Sequence, residues 1–147
     1  HTMHWDFNGR PCRGTPDVRG DGFLTDLKTG ETSDPSFFPF KVRRFAYHAQ
    51  MSFYETGVAL ADLPPVSESY IVSVEQAPPH VVTVYRLSAA TIELGARLWR
   101  LWLEQLQVCE ASGAFPPYSQ SIVDLELFDD NELMELGDAG EVVETTA

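Results

Sequence analysis

"PDVRGDGFLTDLKTG", residues 16–30, sets an Asp-Gly pair between two short runs of strand-forming residues. Asp21-Gly22 is a preferred central pair for a two-residue type I′ hairpin, because both positions of that turn need positive φ. With that loop, Gly20 faces Phe23, Arg19 faces Leu24, Val18 faces Thr25 and Asp17 faces Asp26. Residues directly opposite share a face, with Cβ atoms about 4.5–5.5 Å apart, so two such carboxylates repel unless positive charge lies between them. Lys28 stands two residues past Asp26, and strand alternation places it on the same face. The hairpin predicts a cluster of two acids and one lysine, on a strand that Phe23, Leu24 and Leu27 partly bury.

Outward from this hairpin, residues 2–8, 11–18 and 23–29 read as three short strands, the first two turning at Asn8-Gly9, another strong hairpin pair. A polar loop, "ETSDPSFFPF", leads into a helix expected over 40–57, with Gly57 as its C-cap. "SYIVSVEQ" and "VVTVYRLS" are strands joined through Ala77-Pro78-Pro79-His80. Ser88 is the expected N-cap of a long helix over 89–112, stopped by Ser112-Gly113 and Pro116-Pro117. On it Ile92, Ala96, Trp99, Leu103 and Leu106 form an apolar stripe that Leu98, Leu101 and Trp102 widen, which predicts deep burial or a second contact surface. The order β-β-β-α-β-β-α implies an α/β (α+β) fold with a mixed sheet flanked by helices. Residues 1–120 are expected to form the domain, and 121–147 an acidic extension.

The chain's 147 residues, 44% hydrophobic, suit one domain with a real core. No run approaches a membrane span and no signal peptide opens the chain. Cys12 and Cys109 lack metal-type spacing and read as buried free thiols in a reducing compartment. The net charge of −12 is unevenly spread. Residues 101–147 hold eleven acids and no Lys or Arg, whereas seven of the ten basic residues fall within the first forty-four positions. The acid–lysine hairpin therefore lies in the basic part of the chain, where a phosphate backbone could dock.

Buried acids are costly unless paired or metal-bound. Two facing carboxylates and the main-chain carbonyl of Leu27 offer three oxygens to a hard divalent cation such as Mg²⁺. A lysine ammonium beside it could orient a water or stabilise developing negative charge, a constellation suited to phosphodiester hydrolysis. The bland alternative is an exposed strand end carrying a surface ion pair, since D-x-K is a common tripeptide.

"PD" at 16–17 and "DLK" at 26–28 match the PD-(D/E)XK nuclease motif. The wider string "PCRGTPDVRGDGFLTDLKTG", then "YHAQMSFYETG", resembles the phage RecE-type exonucleases and their PDDEXK-like relatives, over about His4 to Tyr118. Gln50 and Tyr54 have that family's Q-x-x-x-Y spacing, i and i+4 on one helical face, with Tyr47 at i−3. The resemblance implies a restriction-endonuclease-like core. It implies Asp17, Asp26 and the Leu27 carbonyl as ligands of Mg²⁺ (or Mn²⁺), and Lys28 as the catalytic lysine. Gln50 and Tyr54 would hold the attacking water, the scissile phosphate or the lysine, and Arg13, Tyr47 and His48 would contact substrate. Its implied substrate is DNA, at double-stranded ends, cut by a homo-oligomer alongside a recombination partner in a bacterial or phage-infected cytoplasm. The family's N-terminal helix, often bearing a further Glu, does not precede the first strand here. The competing expectations are a non-catalytic DNA-binding or assembly module, and a purely structural subunit that contacts a partner through the Trp99/Trp102 helix and the acidic tail. In the nuclease reading Lys28 takes little part in the fold.

Overall fold

A computed structural model describes residues 2–125. The strands are β1 (Met3–Phe7), β2 (Arg10–Gly14), β3 (Val18–Arg19), β4 (Phe23–Gly30), β5 (Glu68–Glu75) and β6 (Val82–Arg86). The helices are α1 (Phe38–Arg44), α2 (Tyr47–Leu60) and α3 (Ala89–Ser112). One compact unit ends at Ser112 and a second begins at Gly113. Residues 113–125 of the second contain no helix or strand, and the expected acidic extension over 121–147 lies outside the described residues from residue 126 on.

β1 and β2 form an antiparallel hairpin, and the other strands form a mixed sheet in the order β3-β4-β5-β6. Asn8 (φ 55°) and Gly9 (φ 79°) both take positive φ, as the Asn-Gly pair requires. At the second hairpin only Gly22 does (φ 78°), so that turn is not type I′. The Gly22 carbonyl instead accepts the N–H groups of Ser67 and Glu68, which ties the turn to the start of β5. The register Val18↔Thr25 and Arg19↔Leu24 is the expected one, but the ladder stops there. Pro16 lacks an N–H and the expected 11–18 strand is broken into β2 and β3 at Thr15–Asp17.

β4 runs parallel to β5, with Asp26 opposite Ile71 and Lys28 opposite Ser73. Leu24, Asp26, Ile71 and Ser73 point into the molecule and are buried, whereas Val18, Leu27, Val82 and Val84 on the other face are half exposed. Met3, Trp5, Leu24, Met51, Tyr54, Val58 and Ile71 form the core between the buried sheet face, the β1–β2 hairpin and α2.

The single helix expected over 40–57 is two helices, broken at Ala46, which adopts a left-handed φ of 54°. Nothing in the residue type announces this, since alanine disfavours that region. Gly57 is not a cap: it lies inside α2, where an added Cβ would come within 2.8 Å of the Trp5 ring. Along α3 the apolar stripe is buried only at its first half, through Ala96 and Trp99, whose indole Nε1 donates to Ser52 Oγ (3.4 Å). Leu101, Trp102 and Leu106 stay exposed. Arg10 ion-pairs with Glu110 and ties this projecting half to β2.

Candidate active site

β4 carries Asp26 and Lys28 inward on one face, and α2 lies across that face with Gln50 and Tyr54 one turn apart. The four side chains form a continuous chain of contacts. Lys28 Nζ stands 2.5 Å from Asp26 Oδ2 and donates to Gln50 Oε1 at 2.8 Å. Gln50 Nε2 donates to the Tyr54 hydroxyl at 2.9 Å, and that hydroxyl donates to the Thr15 carbonyl at 3.4 Å. The Lys28 ammonium also sits 4.4 Å from the centre of the Tyr47 ring, where the ring's negative face attracts a cation. Two motifs 22 residues apart thus close on one lysine.

Asp17 reaches the same strand by a different contact from the expected cross-strand pair. Its Oδ2 accepts the Leu27 N–H at 2.7 Å. Gly22 and Gly30 turn their carbonyls toward the β5 chain, so even-numbered residues of β4 pair in that direction and Leu27 faces the opposite edge. The N–H and C=O of one strand residue point the same way. The Leu27 carbonyl therefore faces the edge beside Asp17, past the end of the β3 ladder.

Asp26 is 3% exposed, and its Oδ2 has no hydrogen bond of ordinary geometry despite the nearby ammonium. Burial raises its carboxyl above the ordinary value, Lys28 opposes that shift, and Asp17 adds to it. A buried carboxylate paired with an ammonium, a second carboxylate at the strand edge and a main-chain carbonyl facing that edge are hard oxygen donors of the kind a divalent cation selects. The chemistry of this donor set suits such a cation. Among the described residues, no group of three or more His, Cys, Asp or Glu side chains could hold a metal.

One of the expected substrate contacts turns away from this cluster. His48 turns its Nδ1 toward the Val42 carbonyl (3.3 Å) and lines a separate cleft of about 410 Å³ beside Phe38, Arg43 and Tyr85. On a helix, adjacent positions diverge by about 100°, so neighbourhood to Gln50 in sequence did not imply the same face. Arg13 is exposed on β2, next to Gly14, whose Cα face meets the Tyr54 ring. Sequence reading also missed a polar network in the loop before α1. Glu75 Oε1 accepts the Ser33 N–H (2.9 Å) and hydroxyl (3.1 Å), and the Tyr85 hydroxyl donates to the Ser33 carbonyl (2.5 Å). The network anchors the loop that delivers α1, and no local spacing links residues so far apart.

A family model described as a PDDEXK-like domain of unknown function (DUF3799) matches residues 2–125. Among solved structures, an Eubacterium rectale protein described as "Putative exonuclease" superposes with a TM-score of 0.62 at 12% identity. The match covers 92% of this chain and 55% of that one, so this chain spans about half the length of its structural neighbour. At that identity the likeness shows a shared fold. No curated protein matches the sequence significantly.

Proposed function

We propose that this chain, which belongs to the PDDEXK-like family of the PD-(D/E)XK nuclease superfamily, is a metal-dependent deoxyribonuclease that hydrolyses phosphodiester bonds from DNA ends, in recombination or DNA processing of the phage type. The observation that carries this reading is Lys28 Nζ held between Asp26 Oδ2 and Gln50 Oε1, with Gln50 held in turn by Tyr54. Asp17, Asp26 and the Leu27 carbonyl would hold Mg²⁺ or Mn²⁺, which when bound supplies charge to a phosphoryl oxygen and acidifies its own water. Lys28 presents a fixed positive charge where negative charge develops as water attacks phosphorus and the P–O bond breaks. Gln50 limits the ammonium to one position, and Tyr54 fixes the amide's orientation so that its oxygen faces the lysine.

Incubation with linear duplex DNA and Mn²⁺ or Mg²⁺ should release nucleotides, stop on chelation, and spare covalently closed circles. Cutting of closed circles at the same rate would rule out dependence on ends. A non-catalytic DNA-binding module is the second reading, favoured by the lack of a third acidic ligand among the described residues. It predicts binding with no metal-dependent cleavage.

The metal site has its own readout. Millimolar Mn²⁺ should raise the melting temperature of the wild-type chain by several degrees, because a ligand that binds only the folded state stabilises it by mass action. Asp26→Asn should lose that shift. An equal shift in the variant would place the ion elsewhere.

A further inference from the structure

The residues between Asp34 and Glu55 include no acid, three cations (Lys41, Arg43, Arg44) and seven aromatic rings. Cations in the last turn of α1 complement its dipole, and this explains their sign. It does not explain why Phe45 remains 57% exposed. The break at Ala46 turns Phe45 back onto Tyr47, with the rings stacked at 5.6 Å and 21°. The Arg44 guanidinium lies 5.8 Å from the Phe45 ring, and Lys28 lies over Tyr47. Cation, ring, ring and cation thus run in sequence from the surface into the catalytic cluster. A groove of about 460 Å³ borders this track, lined by Gln50 and Phe45 near the cluster and by Trp102 and Leu106 on α3. Trp102 is 47% exposed, whereas Trp5 and Trp99 are buried.

We propose that Arg44, Phe45, Tyr47 and Trp102 form a stacking track for unpaired bases of single-stranded DNA, leading the strand's phosphates to Lys28. The inference rests on the nuclease reading for the direction of the strand, though not for its binding. Stacked rings accept any base because every base has a π-face, and interleaved cations follow the backbone. A duplex end keeps its bases paired and stacked, so the track discriminates by strandedness. Charge complementarity selects this occupant on the α1–α2 side, where Arg44 and Lys28 stand at the two ends of the ring series and residues 35–54 hold no acid. The facing half of α3 holds Glu104 and Glu110 and no cation, so the phosphates follow the α1–α2 side and only a base reaches Trp102.

The test uses the full chain in chelator, so that binding is read without cleavage. A fluorescein-labelled oligo(dT) should bind more tightly than a blunt duplex of equal length and should quench tryptophan emission, with the quench lost in Trp102→Phe. Phe45→Ala should weaken oligo(dT) binding by about tenfold, the effect of losing one base–aromatic stack, and duplex binding by less than threefold. Phe45→Leu, which keeps apolar bulk at this exposed position, should behave like Phe45→Ala. Arg44→Gln should weaken both DNAs and reduce their salt dependence. The track is overturned if Phe45→Leu restores binding, if both DNAs weaken equally on loss of the ring, or if the wild type binds neither. It is equally overturned if Trp102 responds to anionic vesicles or to self-association and not to DNA. Cleavage separates the two readings. A chain that cuts DNA with unchanged oligo(dT) affinity in Phe45→Ala sinks the track and leaves the nuclease; one that binds through Phe45 without ever cutting does the reverse.

Discussion

Replacing Lys28 with alanine is expected to slow metal-dependent cleavage of linear duplex DNA by a factor on the order of 10² or more, the usual contribution of a positioned charged group. The ammonium is placed for this by three independent contacts, to Asp26, Gln50 and the Tyr47 ring. Gln50→Ala should do less damage, because Asp26 and Tyr47 still hold the lysine. The substitution is also expected to cost stability, where the sequence alone predicts a nearly unaffected fold. Lys28 is the only cation in contact with Asp26 among the described residues, and the Asp26 side chain is 5% exposed. Breaking a buried pair leaves an uncompensated charge, and here the cost is about 3 kcal/mol at neutral pH. Protonation of Asp26 relieves it. Burial raises the Asp26 carboxyl in the folded chain, and without Lys28 the rise is larger. The folded variant then binds more protons than the unfolded chain above the ordinary carboxylate range, so its stability falls as pH rises through that window. Melting at acid and neutral pH, set beside rates corrected for folded fraction, separates the two effects. Equal cleavage by wild type and variant would remove Lys28 from the mechanism.

Gly95→Ala is expected to lower stability by about 3 kcal/mol, as overpacking does where the obstacle cannot move aside. A Cβ at position 95 would lie 2.1 Å from the His48 carbonyl oxygen and 2.9 Å from the Ala49 nitrogen. Both belong to the backbone of α2, so relief requires α2 and α3 to separate. The gain in helix propensity from Gly to Ala, about 1 kcal/mol, offsets only part of this. Separation would also carry α2 away from β4, and with it Gln50 from Lys28. Thermal melting should fall by roughly 10 °C, with cleavage falling further than the folded fraction alone explains. An unchanged melting temperature would show that the helices do not cross at Gly95.

The strands around Asp-Gly and Asn-Gly, the long helix after Ser88 and the order of elements were legible because each depends on periodicity or on a residue with a narrow φ preference. The helix break at Ala46 was not legible, because alanine there adopts an unfavoured φ that only its surroundings hold in place. Gly57 looked like a cap because glycine ends helices; its actual role is to admit the Trp5 ring, a contact between residues far apart in sequence.

By itself the sequence determined the residue types at the site and the strand and helix that carry them: Asp17, Asp26 and Lys28 at strand spacing, Gln50 and Tyr54 at helical spacing. Only the tertiary structure decided which of these meet. It brought Gln50 to Lys28 and sent His48 to another cleft. It also moved the Asp17 carboxylate to the Leu27 N–H, because Pro16 interrupts the ladder that would have set it opposite Asp26. Spacing along a chain fixes which face of an element a side chain occupies. What that face touches depends on how elements cross, and here a glycine at position 95 and a left-handed alanine at position 46 set the crossing.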